Sequence, residues 1–242
     1  MSVQSSTSSP AVRSKAARLD HRTRAGLYAL LAGAVLLALA RLLTTEGGSA
    51  ADRLHQMHGH DVRVTSAALF AVAGFAALVP GFLTVVGRVR ERGAVMATIG
   101  GGLVVLGGIG FAILSSVDLS TLAATHVASP DAMRDYLHQL DVSPGILVLT
   151  PFAVVGYLIG PFLVTLAARR AGFVPRWLPW TVLAALLMQP VTAGLGGPVV
   201  AHTVDTALQL VLIGSLWVLA RGTRSACIQQ DWPASSSPRS PM

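Results

Sequence analysis

The stretch TSAALFAVAGFAALVPGFLTVVGRVR, residues 65–90, decides the fold. From Thr65 to Gly87 it carries no charged side chain, and then Arg88 and Arg90 arrive together. About 20 apolar residues, rising about 1.5 Å each, match a hydrocarbon core about 30 Å thick. Working outward, five more apolar stretches occur at 25–44, 94–116, 146–168, 178–197 and 203–220. The pattern predicts an all-α, polytopic transmembrane helical bundle of six spans over residues 25–220. Residues 1–24 and 221–242 flank it as basic tails, too polar to bury a core and read as disordered.

Composition points the same way. Hydrophobic residues make up 52% and charged residues 12%, against about 25% charged in ordinary soluble domains. The net charge of +7 would suit nucleic acid, but the basic residues follow the loops between spans instead. With the N-terminus inside, segments 1–24, 88–93, 169–177 and 221–242 hold 14 of the 18 basic residues. Arg41, Arg53, Arg63 and Arg134 fall on the other side. Short loops with this asymmetry predict an inner (plasma) membrane protein with both termini cytoplasmic. Trp177, Trp180 and Trp217 stand near the inner ends of spans, where amphipathic rings sit at headgroup level. The bias of 17 Arg to one Lys reads as codon usage in a GC-rich bacterium. The lipid bilayer is the expected partner, a membrane-protein partner or second copy is left open, and nucleic acid is not expected.

Cys227 is the only cysteine, so no internal disulfide forms. Ala38-Leu39-Ala40 has the small-x-small look of a signal cleavage site. The long basic leader and the five spans that follow favour a retained first helix.

An internal duplication is legible. Phe70-Ala71-Val72-Ala73-Gly74-Phe75 recurs as Phe152-Ala153-Val154-Val155-Gly156-Tyr157. Each is followed by a proline (Pro80, Pro161) and Phe-Leu, and preceded by a matching outer segment, Asp52 to Met57 against Asp135 to Leu140. Both copies run in the same direction, which predicts a parallel repeat with the second–third and fourth–fifth spans as sister hairpins. Ser129 and Asp131 precede a run that predicts a short outer helix with Met133, Tyr136 and Leu137 turned toward the membrane.

Six of the seven histidines lie on the outer side: His55, His58, His60, His126, His138 and His202. Three open a His-x-x-Asp motif, His58–Asp61, His138–Asp141 and His202–Asp205. On a helix that spacing puts both side chains on one face. Imidazole and carboxylate are ligands for a divalent metal, with His58, Asp61, His138, Asp141 and His202 as the candidate set. The simpler reading is a carboxylate favoured by a helix start beside a solvated histidine. In the sixth span, His202, Asp205 and Gln209 form a polar stripe that Gln189, next to Pro190, is placed to face. Ionisable groups within a span generally face the bundle or a water-filled cavity. The alternative is hydrogen-bonded glue between helices.

Other signals fail. Gly100-Gly101-Gly102 and Gly107-Gly108-Ile109-Gly110 lie mid-span, with neither phosphate-loop spacing nor a Lys-Ser/Thr. Ala97, Gly101, Gly108 and Ala112 instead give a small-residue face that predicts a central third helix. No Gly-x-Ser-x-Gly elbow occurs, and no catalytic or cofactor-binding residue is assigned. The turn Gly172-Phe173-Val174-Pro175-Arg176-Trp177-Leu178 resembles the Gly-x-Val-Pro-x-Trp-Leu turn of uncharacterised six-span bacterial integral membrane proteins. The resemblance implies a membrane location and the six-span layout, and carries over no activity. The expected role is a small transporter, a permease-like element or the membrane subunit of a larger system, moving solute or protons past Asp205. The alternative is a membrane-embedded metal-dependent enzyme or redox protein built on the outer histidines.

Overall fold

A computed structural model describes residues 10–44, 60–90, 92–192 and 198–230. Among them are seven helices and no strand. They are α1 (Pro10–Leu43), α2 (Asp61–Val86), α3 (Ala94–Thr125), α4 (Pro130–Asp141), α5 (Pro144–Arg170), α6 (Leu178–Thr192) and α7 (Pro198–Gln230). Five helical segments are long and apolar enough to cross a membrane: His21–Leu43, Asp61–Val86, Ala94–Thr125, Pro144–Arg170 and Thr203–Ser225. The stretch expected to span at 178–197 is represented by α6, whose 15 residues reach only about 22 Å.

Several boundaries differ from those expected. α1 begins at Pro10, inside the segment read as tail, because Ala11, Ala16, Ala17, Arg18 and Leu19 are strong helix formers. α3 continues to Thr125, since nothing between Ser115 and Ala124 is a glycine or proline. α7 likewise runs past Ala220 to Gln230. Residues 1–9 and 231–242, the outermost parts of the two tails, lie outside the described residues.

The long helices close into a ring. α1 packs on α2, α2 on α3, α3 on α5, α5 on α6, α6 on α7, and α7 returns to α1. α3 therefore lies in the wall between α2 and α5, not at the centre. Its outward face shows Ile99, Leu106 and Ile109 exposed. The tightest pairings are α1 with α2 and α3 with α5, where backbones touch. A Cβ on Gly107 would stand 2.7 Å from the Gly156 carbonyl carbon, and one on Gly156 would stand 2.6 Å from the Gly107 nitrogen. Gly33 meets the Gly74 carbonyl in the same way. Without a hydrophobic drive between helices in lipid, close approach of this kind supplies the dispersion contact that holds them. Gly101 and Gly108 turn instead toward Val86 and Val79 of α2.

The arginine-bearing end of the ring is densely packed. Leu30, Phe82, Val85, Val164, Leu178 and Leu219 are almost wholly buried there. Arg88 donates to Thr23, joining α1 to the turn after α2. The turn from α5 to α6 follows from three residues. Gly172 takes φ 79°, a left-handed conformation that glycine adopts without strain. Its N–H donates to Arg169 O and that of Phe173 to Ala168 O, the paired closure of a Schellman motif. Val174 then drops into the core, while Trp177 and Trp180 remain on the exterior. At the other end, Ser129 caps α4 through Ala132 N, whereas the Asp131 side chain is exposed. Met133 and Leu137 of α4 bury against Ala124 and Ala128, but Tyr136 stands exposed rather than turned inward.

Leu69, Leu147, Phe152 and Leu210 cover the outside of the bundle with more than half of each side exposed. A soluble surface does not carry apolar cover of this extent. The fold is a bundle of apolar helices consistent with an integral membrane protein.

The seam between α3 and α5 sets a test with its own control. Gly156→Leu should lower stability by about 1–3 kcal/mol or abolish folding, since overpacking forces the helices apart. Gly102→Leu, where an added Cβ meets nothing within 4 Å, should leave the midpoint unchanged. Thermal unfolding in detergent, followed by size-exclusion fluorescence, reads both.

Candidate functional site

At the histidine-bearing end the ring opens into a cavity of about 430 Å³. Its floor is aromatic. Phe75 of α2 stacks on Phe111 of α3 with centroids 5.0 Å apart, and Tyr157 of α5 meets both edge-on at 5.8 and 5.2 Å. These rings are where they are because Gly107 lies one turn before Phe111 and Gly156 immediately before Tyr157. The glycine contact draws α3 and α5 together at that level.

The rim is polar and of mixed charge. Arg41 and Thr44 come from the end of α1, His60 and Arg63 from the start of α2, Ser115 and Asp118 from α3, and Gln209 from α7. Arg63 Nε donates to Leu43 O at 2.7 Å, holding the start of α2 against the end of α1. Thr44, His60 and Asp118 are exposed, so the cavity opens at this end.

Behind Tyr157 lies part of the polar stripe expected from the sequence. Tyr157 Oη donates to Gln189 Oε1 at 3.5 Å, joining α5 to α6. Gln189 and Gln209 are both buried. Asp205 is half-buried, and its Oδ1 is buried with no hydrogen-bond partner among the described residues.

Each of the three His-x-x-Asp pairs has one member outside the described side chains. Asp61 meets His126, Nε2 to Oδ2 at 3.3 Å, a polar contact between the start of α2 and the end of α3. His138 stands exposed on α4. His55 and His58 lie outside the described residues, as do the side chains of Asp141, Pro190 and His202. No group of three or more His, Cys, Asp or Glu side chains able to hold a metal occurs among the described residues.

Sequence reasoning missed Arg41, Arg63, Asp118 and Tyr157 as lining residues. A signal existed for the first two, which are among the four basic residues that broke the arginine asymmetry. Asp118 was assigned to a loop because α3 was expected to end at 116. Comparison of the chain with protein-family models, curated proteins and solved structures returned no match.

The buried Asp205 oxygen generates a test. Replacing a carboxylate that has one buried oxygen without a hydrogen-bond partner by an apolar group removes a desolvation cost of about 1–3 kcal/mol. Asp205→Leu should therefore raise the unfolding midpoint in detergent, and a lowered midpoint would show that the carboxylate is a structural contact.

Proposed function

We propose that this protein is a small transporter or permease-like element whose substrate is a small amphipathic solute. The observation that carries this reading is the cavity: about 430 Å³, open at one end, with a charged rim above three aromatic rings. Concave sites of roughly 300–1,000 Å³ with an apolar lining and a few placed polar groups are the usual form of small-molecule sites. The rim offers guanidinium and carboxylate to a polar head, and the floor offers ring faces to an apolar body. Asp205, Gln209 and Gln189 continue the polar path beyond Tyr157, the stripe along which a solute or proton would pass.

In this reading the chain spans the inner membrane six times with both termini cytoplasmic. The arginine asymmetry supports that orientation, and the apolar stretch 178–197 is read as the fifth span. The duplication is retained with a changed unit. Gly74 and Gly156, matched in the two copies, each touch a glycine of the preceding span, Gly33 and Gly107. Their neighbours Phe75 and Tyr157 meet across the ring. Both contacts favour α1–α2 and α3–α5 as the repeated pairs, in place of second–third and fourth–fifth hairpins.

A metal-centred alternative draws support from the His126–Asp61 pair alone. Two donors fall short of the three or four protein ligands of a zinc site, so His58 or His202 would have to complete it. Stoichiometric metal in the purified protein, lost in His126→Ala, would favour that alternative.

Thiol accessibility tests the transport reading without knowledge of the substrate. With Cys227→Ser as background, Ser115→Cys places one thiol on the cavity wall. A charged, membrane-impermeant thiol reagent should label it from either side of oriented vesicles. Labelling from the histidine side alone would indicate a binding protein instead of a carrier, and absence of labelling from both sides would overturn the cavity as a solute site. Asp205→Asn should abolish pH-dependent solute movement while leaving the protein folded.

A further inference from the structure

The rim of the histidine-end cavity carries charge of both signs, but its charged groups are not equally committed. Arg41 and Asp118 each already engage other groups of the protein. Arg63 differs. Its Nε is spent on Leu43 O at 2.7 Å, and among the described residues its two terminal nitrogens have no partner. The side chain is nonetheless half-buried and lines the cavity. From Arg63 to the rings, the wall supplied by α2 carries no charge. Arg63, Ala67, Ala71 and Phe75 recur at four-residue spacing, which keeps them on one side of the helix, and all four line the cavity. The first and last are about 18 Å apart along the axis. Two alanines keep this wall thin, and Leu37 of α1 and Leu114 of α3 add apolar surface to the same space.

We infer that the solute taken by this cavity is a monocarboxylate with an elongated apolar body, its carboxylate on the Arg63 guanidinium and its far end against Phe75, Phe111 and Tyr157. This rests on the reading of the cavity as a solute site and names the class of solute. A half-buried cation with open donors favours an anion, and a planar carboxylate matches guanidinium nitrogens in pairs. An amine would have to draw Asp118 out of the interaction it already has, while Arg63 stayed unmatched. A zwitterion meets the same obstacle at its ammonium. A phosphate monoester would bring a charge of about −1.5 to −2 to a single open guanidinium. A short anion would satisfy Arg63 but leave the rings and the apolar walls uncovered. An elongated body covers them, and burial of its apolar surface supplies affinity.

The test uses the full chain in detergent, carrying Cys227→Ser and Ser115→Cys, and reads how fast a small neutral maleimide modifies the single thiol. Four compounds are compared at one concentration: 4-phenylbutyrate, 4-phenylbutanamide, 4-phenylbutylamine and acetate. The phenylbutyrate should slow modification about tenfold where the other three slow it less than about twofold, the scale of a charge-assisted hydrogen bond. Adding Arg63→Gln should raise the phenylbutyrate concentration needed for half protection about tenfold. Arg63→Lys, which keeps the charge without the paired geometry, should fall between. Should Arg63→Gln disturb folding, the four compounds on the chain with Arg63 intact still decide. Equal protection by the amide, or stronger protection by the amine, would overturn the carboxylate while leaving the cavity a solute site. Modification that no compound slows would overturn it likewise. A thiol that resists the maleimide with no compound present marks the failure of the cavity itself, and takes this inference with it.

Discussion

Everything in this bundle depends on how near α3 and α5 come to one another. Their backbones meet at Gly107 and Gly156, with no side chain between them. In hydrocarbon, apolar side chains gain nothing by leaving lipid for protein, so contact area and close approach must do what water does for soluble cores. The same contact determines the cavity. Beside it, Phe111 and Tyr157 are brought to ring-contact distance, and Phe75 completes the floor from α2. A wider spacing between these two helices would open the floor and merge the cavity with the interior.

The two ends of the ring divide labour. At the arginine end, Phe82, Val85, Leu178 and Leu219 fill the interior and the Gly172 turn folds against it. At the histidine end, helices of unequal length leave the middle open and line it with residues of both charge signs. The bundle is thus packed at one end and open at the other, with the aromatic floor between them.

Much of this was written plainly in the chain. Long uncharged runs gave the helices, because a polar backbone in lipid has few other ways to satisfy itself. Ser129 and Gly172 announced a cap and a turn. Gln189 and Gln209 proved buried, as a polar group within an apolar helix must be. What the chain concealed were contacts set by rotation and register. His126 reached Asp61 from α3, a partner no local spacing suggests, and Asp118 entered the rim because its helix ran beyond the expected membrane edge. Small residues showed that α3 packs closely, but only the structure separates Gly107, which touches α5, from Gly108, which faces α2.

The length of α3 has a further consequence. At 32 residues it runs about 48 Å, some 18 Å beyond the hydrocarbon thickness of an ordinary bilayer. Such an excess is taken up by inclination or by protrusion. Its final turns carry Ser120, Thr121 and Thr125, and α4 packs against its end through Met133 and Leu137, which bury against Ala124 and Ala128. The turns of α3 beyond Phe111 run about 21 Å past the aromatic floor, so one helix supplies both that floor and, through Ser115 and Asp118, the wall above it.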